Sequence, residues 1–157
     1  MKTYLIGTQC LLDIAKNDGN KASQWYDSLA GQGLYLGTHV LISAFSVAQL
    51  RFFFHKHPAI TPGDWSLIRN VNKVIRIFEN ADGVLGCPAE AAYYWAETLG
   101  PSVTYNRPPP PRALPAEEAI VVATAAVHNG GHSYVLVDRE QEIHQVLRIA
   151  VHDPYHP

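Results

Sequence analysis

Short apolar runs alternate along the chain with longer segments in which apolar residues recur at helical spacing. Runs of strand-forming residues lie at residues 4–6, 39–42, 84–86, 134–137 and 147–151. Between them, apolar residues at i, i+3, i+4 and i+7 predict helices that begin near Leu11, at Asn20, at Ser43 or Ser46, at Thr61, at Pro88 and at Pro115, and a short helix at residues 140–146. The pattern predicts an alternation of strands and helices.

Strands that alternate with helices pair in parallel through crossovers, so we expect helices on both faces of one sheet. The predicted fold class is α/β, a three-layer α/β/α sandwich with a central, mostly parallel sheet. The length of 157 residues suits a single domain over residues 1–157. Ligands of such sheets bind at the carboxyl ends of the strands, which points to residues 7–9, residues 43–49 and Asp138.

Composition and charge narrow the possible functions. The net charge of -2 argues against a protein that grips nucleic acid by bulk electrostatics, although a local basic strip stays open. Such a strip would consist of Arg51, Lys56, Arg69, Lys73 and Arg76. The two cysteines, far apart in sequence, are expected to be reduced thiols, as in the cytoplasm. With no signal-like segment and no apolar run of about 18 residues, we expect neither export nor a membrane span.

Four blocks at the predicted strand ends resemble those of PIN-domain nucleases, in particular the VapC-type toxins. Where that family has Asp-Thr-Asn after its first strand, this chain has Gly7-Thr8-Gln9. Where the family has Ala-Glu-Leu, it has Ala48-Gln49-Leu50. The third block, Leu-x-x-x-Asp before an Ala-rich helix, reads from Leu114 to Glu118, and the fourth places Asp138 after a strand. The blocks are in family order and span roughly residues 1–150.

The resemblance implies an Mg²⁺- or Mn²⁺-dependent ribonuclease in which four carboxylates hold the metal. Gly7 and Gln49 replace two of them, so the candidate metal and catalytic acids are Glu118 and Asp138, with Thr8 as a hydroxyl at the same site. A unit charge about 4 Å from a dication contributes on the order of 8 kcal/mol at an effective dielectric near 20, before desolvation. We therefore expect a degenerate site, too weak for catalysis. Asp13 lies six residues after Gly7, roughly 8 Å away along the helix axis, so we expect it on the helix surface and not in the site.

Three functions follow from the resemblance. The first is a catalytically impaired pseudo-nuclease that retains a partner- or RNA-binding role, with no tightly bound cofactor. The second is an active endoribonuclease toxin of a toxin–antitoxin module, which would use Mg²⁺ or Mn²⁺ with a further acid such as Glu117 or Glu142. The third is a structural or interaction protein without nucleic-acid binding. The partners that the resemblance implies are a small antitoxin, RNA and a second copy of the chain in a homodimer. We expect no membrane partner.

Three further features are open to more than one interpretation. Gly7 permits a positive φ or the close approach of a ligand, so the groove could accept a phosphate through backbone N–H groups without cleaving it. Three consecutive phenylalanines, Phe52 to Phe54, cannot all point inward, and an exposed one would indicate a partner interface. The prolines from Pro108 to Pro111 predict a rigid connector, or else a ligand for an aromatic-lined groove.

Overall fold

A parallel five-stranded sheet forms the centre of the fold. The computed structural model describes residues 2–99, 116–127, 134–140, 144–145 and 148–157, with the backbone alone for residues 98–99 and 116–119. The strands are β1 (Thr3–Ile6), β2 (Val40–Ser43), β3 (Val84–Leu85), β4 (Tyr134–Val137) and β5 (Val151–His152), in the order β3-β2-β1-β4-β5. All four neighbouring pairs are parallel, which confirms the predicted sheet.

Six α-helices accompany the sheet in the part of the chain that the structure describes. They are α1 (Thr8–Lys16), α2 (Lys21–Ser28), α3 (Ala44–Lys56), α4 (Pro62–Asn80), α5 (Ala89–Tyr94) and α6 (Ala116–Ala126). A 3-10 turn follows α2 at Ala30–Gln32, and a π-helical turn continues α5 at Trp95–Leu99. Within these bounds no described helix is both long enough and apolar enough to cross a membrane.

Local side chains define the starts of three helices, as their residue types predict. Asn20 accepts a hydrogen bond from the backbone N–H of Ser23, and Ser43 accepts one from the N–H of Phe45. Thr61, the residue before α4, forms a reciprocal capping box with Asp64. The Thr61 hydroxyl oxygen accepts from the backbone N–H of Asp64, and the Asp64 carboxylate accepts from the backbone N–H of Thr61. The predicted caps at Asn20 and Thr61 are confirmed, and of the two serines proposed for α3 it is Ser43 that caps the helix.

The core lies on both faces of the sheet because alternate strand residues point to opposite sides. On one face, Ile6 and Val137 pack with apolar residues of α1, α3 and α4. On the other face, Leu5 and Leu136 pack with residues of α5 and α6. The three-layer arrangement predicted from the sequence is confirmed.

The strand order reverses beside β1, and this reversal positions the candidate site. The chain passes from β1 outward to β2 and β3, then returns to the other side of β1 to form β4 and β5. Ile6 pairs with Val137, and the N–H of Gly7 donates to the carbonyl oxygen of Val137 at 2.9 Å. The residues that follow β1 and β4 are therefore neighbours at one edge of the sheet.

Two predictions near the C-terminus are wrong in their bounds. The last strand is Val151–His152 rather than residues 147–151, and Arg148 has a left-handed backbone with φ of 54°. Ile149 packs on the apolar face from outside a strand, so its hydrophobicity reflects burial rather than strand pairing. Of the predicted helix at residues 140–146, positions 144–145 are helical and Glu140 is not, while the rest lies outside the described residues, as does the segment from Pro108 to Pro111.

Candidate functional site

A pocket of about 260 Å³ opens at the carboxyl ends of β1 and β4. It lies at the reversal of strand order, where open parallel sheets bind their ligands. Its lining comes from the start of α1, from α3, from α6 and from the end of β4. The lining residues are Gly7, Thr8, Gln9, Gln49, Val121, Val122, Leu136, Asp138 and Arg139.

Gly7 and Asp138 are in close contact in this pocket. Gly7 has φ of -69° and ψ of 158°, an extended backbone that any residue adopts, so the suggestion that it provides a positive φ is wrong. A Cβ atom at position 7 would lie 2.6 Å from Asp138 Oδ2 and 3.2 Å from the carbonyl oxygen of Val137. The close approach is thus made by the Asp138 carboxylate, which occupies the space that a side chain at position 7 would need.

Thr8 and Gln49 are neutral groups at the same end of the sheet. The Thr8 hydroxyl donates to Ser46 Oγ at 2.9 Å, and Ser46 is fully buried on α3. This bond ties the start of α1 to α3. Gln49 follows Ser46 by one helical turn, and its Oε1 atom is buried without a hydrogen bond from any described residue. An amide therefore faces the pocket where the family pattern has a carboxylate.

Glu118 lies on α6 one turn before Val121 and Val122, both of which line the pocket. Residues three and four apart share a helix face, so position 118 is on the face of α6 that borders the site. Of Glu117 and Glu118 the structure describes the backbone alone, and Glu142 lies outside the described residues.

The described residues do not fit a magnesium or manganese site. Mg²⁺ requires an octahedron of oxygen ligands with concentrated negative charge. Here the pocket offers no side chain at Gly7, a neutral amide at Gln49 and the carboxylate of Asp138, next to the cationic Arg139. Within the described ranges no three His, Cys, Asp or Glu side chains come together as they would to bind a metal ion.

Asp13 is buried, so the prediction that it lies on the helix surface is wrong. It is 9% exposed, and Tyr155 donates its hydroxyl to Asp13 Oδ2 at 2.5 Å. Lys16 Nζ and Gln9 Nε2 donate to the other oxygen at 2.9 and 3.3 Å. Burial alone would raise the pKa of Asp13, but the hydrogen bonds from Tyr155 and Lys16 outweigh it and lower that pKa.

Tyr155 also supports Arg139, which the sequence did not single out. The guanidinium carbon of Arg139 lies 4.4 Å from the centre of the Tyr155 ring. Tyr155 contacts Arg139 directly, and it contacts Gln9 indirectly, because both Tyr155 and Gln9 donate to Asp13. Arg139 and Gln9 both line the pocket. Burial, followed by the hydrogen bond to Asp13, raises the pKa of Tyr155, so its hydroxyl stays a donor at neutral pH.

One sequence signal could have revealed part of this network. Asp13 follows Cys10 by three residues and so shares its helix face, and Cys10 is fully buried. Burial, reinforced by the charges of Asp138 and Asp13, raises the pKa of Cys10 to about 12. The contact between Asp13 and Tyr155 spans 142 positions, and no local pattern predicts it.

Two solved structures resemble the chain over almost its whole length. One is FitAcB from Neisseria gonorrhoeae, with a TM-score of 0.69, 18% identity and coverage of 99% of this chain and 100% of that one. The other is FitAB bound to an IR36 DNA fragment, with a TM-score of 0.66, 18% identity and coverage of 99% and 97%. The chain has the PIN-domain fold. No family model and no curated protein matches the sequence.

The PIN fold explains why the four sequence blocks converge. Its parallel strands end at one edge, where Gly7, Thr8, Gln49 and Asp138 all line one pocket and position 118 borders it. The fold class predicted from the sequence is therefore confirmed, together with the neighbourhood of these positions.

Proposed function

We propose that this protein is a PIN-fold pseudo-nuclease, which retains a partner- or RNA-binding role but has no Mg²⁺- or Mn²⁺-dependent ribonuclease activity. The observation that carries the proposal is the contact between Gly7 and Asp138. The carboxylate of Asp138 fills the space in which the family pattern has its first acid. The site has thus lost a charge, and the Asp138 side chain would have to rotate to admit an acid at position 7.

Charge and geometry support the loss of metal-dependent activity together. Each missing carboxylate removes on the order of 8 kcal/mol of attraction for a dication at an effective dielectric near 20, before desolvation. Gln49 keeps the size of a glutamate without its charge, and Arg139 brings a positive charge to the lining. A dication in this pocket would meet repulsion from Arg139 as well as a reduced set of ligands.

An exposed apolar surface supports a protein partner. Phe52 and Phe53, neighbours on α3, are 65% and 48% exposed, and Trp65 on α4 is 58% exposed. Large apolar side chains that cluster on a surface mark interaction sites. By resemblance to VapC-type proteins, we propose a small antitoxin as the partner and a homodimer as the assembly.

Two free cysteines agree with a reducing compartment. Cys10 is buried and Cys87 is exposed, and neither forms a disulfide. Together with the single sheet, this supports one PIN-like domain that acts in the cytoplasm.

An RNA cleavage assay in Mn²⁺ tests the proposal. We expect the unmodified protein to leave RNA intact, as its Lys21→Gln variant should, since Lys21 is exposed on α2 and belongs neither to the pocket lining nor to the candidate basic strip. The Gly7→Asp and Gln49→Glu double variant restores the missing acids, and cleavage by that variant alone would support a dead site. Cleavage by the unmodified protein that EDTA and Glu118→Gln both abolish would overturn the proposal in favour of an active toxin.

A further inference from the structure

We propose that the pocket binds a phosphate group directly, without a metal ion, and that the guanidinium of Arg139 supplies the positive charge. The inference rests on the proposed function, since it requires a pocket that holds no dication. It names the ligand chemistry of the same site, a phosphate either free or in an RNA backbone.

Among the described residues that line the pocket, Arg139 is the cation, and it forms no ion pair with any of them. No carboxylate among the described residues pairs with its guanidinium, whose side-chain contact is the ring of Tyr155 at 4.4 Å. Stacking on an aromatic ring fixes the plane of the guanidinium and leaves its N–H edges available. A planar fork of N–H donors matches two oxygens of a phosphate.

Gln49 and the start of α1 offer further donors. Gln49 lines the pocket, and its Oε1 atom accepts no hydrogen bond from a described residue, so no such bond prevents the amide from turning its NH₂ group towards an anion. No side chain caps α1 at Gly7, and no acid lies in its first turn. The positive end of the helix dipole therefore meets the pocket, where the Asp138 carboxylate beside Gly7 is the described acid that faces it.

Asp138 is the described group that opposes an anion in the pocket. Its Oδ1 accepts the backbone N–H of Arg139 at 2.7 Å, while Oδ2 lies against Gly7. Asp13 is not part of the lining, and its carboxylate accepts hydrogen bonds from Tyr155 and Lys16. Repulsion from Asp138 gives the proposal a distinctive sign, because neutralising this acid should strengthen phosphate binding. At a metal site the same change would weaken binding, since it removes a ligand.

The size of the pocket agrees with one phosphate group. Its volume of about 260 Å³ falls below the roughly 300–1,000 Å³ of pockets that enclose a drug-sized ligand. A single phosphate group fits within that volume.

The test measures fluorescence anisotropy of a labelled single-stranded RNA of about 12 nucleotides, in excess EDTA. We expect binding without metal, and Arg139→Gln should weaken it roughly tenfold or more, since hydrogen bonds to charged groups are the strong ones. Asp138→Asn should tighten binding, and the charge-matched control Lys21→Gln should leave it within about twofold, since Lys21 is exposed at the start of α2 and belongs neither to the pocket lining nor to the candidate basic strip. Inorganic phosphate is then added as competitor, and its own binding is followed by calorimetry.

Each outcome decides the inference. Displacement of the RNA by phosphate assigns the ligand to the RNA backbone. Calorimetric binding of phosphate without any RNA binding assigns the ligand to free phosphate. Either result upholds the site if Arg139→Gln abolishes the binding that was measured. Absence of any binding in EDTA, equal loss in Arg139→Gln and Lys21→Gln, or weaker binding in Asp138→Asn overturns it. Mn²⁺-dependent RNA cleavage would instead refute the proposed function, so the two failures are distinguishable.

A second pair of variants tests the role of Tyr155 as a positioning residue. Tyr155→Phe keeps the ring under Arg139, whereas Tyr155→Leu removes it. We expect RNA affinity to be retained in the first and to fall severalfold in the second. Equal affinity in both variants, with both folded by circular dichroism, would contradict the placement of Arg139 by this ring.

Discussion

Replacing Tyr155 with phenylalanine should destabilise the fold by about 1.5–2 kcal/mol at pH 7. The change removes the hydroxyl that donates to the buried Asp13 carboxylate at 2.5 Å. Hydrogen bonds to charged groups contribute roughly 1.5–3 kcal/mol, and we expect the lower part of that range because Lys16 and Gln9 still donate to Asp13. In a chain of this length each 1 kcal/mol shifts the melting temperature by about 2–4 °C, so a decrease of roughly 3–8 °C is expected.

The effect should depend on pH in one direction. The pKa of Asp13 is lowered in the folded state, so the stability from its charged form is present above the unfolded pKa, about 3.9, and is lost as the pH falls through the folded value. The difference between Tyr155→Phe and the unmodified protein should therefore stay constant from about pH 8 to pH 5 and shrink below about pH 4.

Urea denaturation followed by circular dichroism measures this difference. Tyr35→Phe serves as the control, because Tyr35 is highly exposed and no hydrogen bond from its hydroxyl is found among the described residues, so we expect a change within about 0.5 kcal/mol. A double-mutant cycle with Asp13→Asn should give a coupling of about 1 kcal/mol or more. Additive effects of the two changes, or a Tyr155→Phe effect that grows in acid, would refute the assignment of the stabilisation to this bond.

Three further predictions concern close contacts and thiol reactivity. Gly37→Ala places a Cβ 1.8 Å from the carbonyl oxygen of Ala81, at the end of α4, in a backbone with φ of +79°, so the free energy of unfolding from thermal melting should fall by about 3 kcal/mol or more. Gly19→Ala should cost about 1 kcal/mol, because φ is also positive there but no atom lies within 4 Å of the new Cβ. Equal losses in the two variants would exclude the clash. Gly7→Ala should cost about 1 kcal/mol or less, because the Asp138 carboxylate can rotate away from the new Cβ, and the cost should fall further in an Asp138→Ala background; an unchanged cost there would count against the contact between them. The buried thiol of Cys10, with its pKa raised to about 12, should resist Ellman's reagent at pH 8 in the native protein and react after denaturation, whereas two reactive thiols in the native chain would contradict its burial.

The parts of the fold that could be predicted from the sequence are those set by local chemistry. Asn20, Ser43 and Thr61 each cap a helix through a bond to a residue two or three positions away, so their side chains mark the helix starts. The strands β1, β2 and β4 are short apolar runs that lie between layers of helices. A short, continuous apolar run predicts a strand that is buried on both faces of a parallel sheet. The last strand was misplaced because Ile149 is apolar for burial outside the sheet.

The candidate site was predictable in outline and not in detail. Parallel strands end at one edge, so the positions after them, Gly7, Gln49 and Asp138, were expected together and lie together. The rotation of the Asp138 carboxylate into the space beside Gly7 depends on side-chain packing across two strands. The role of Tyr155 beneath Arg139 depends on where the C-terminal residues return to the sheet, and neither is a property of a local pattern.

Binding of Mn²⁺ to the unmodified protein, followed by electron paramagnetic resonance or calorimetry near neutral pH, tests most directly whether this pocket can hold a dication. The described lining offers the carboxylate of Asp138 next to the cation of Arg139, so we expect no saturable binding of Mn²⁺ with a dissociation constant below about 1 mM. A dissociation constant of about 1 mM corresponds to a binding free energy of roughly -4 kcal/mol. Saturable binding of one or two Mn²⁺ per chain at micromolar concentration, lost in Asp138→Asn, would contradict the account.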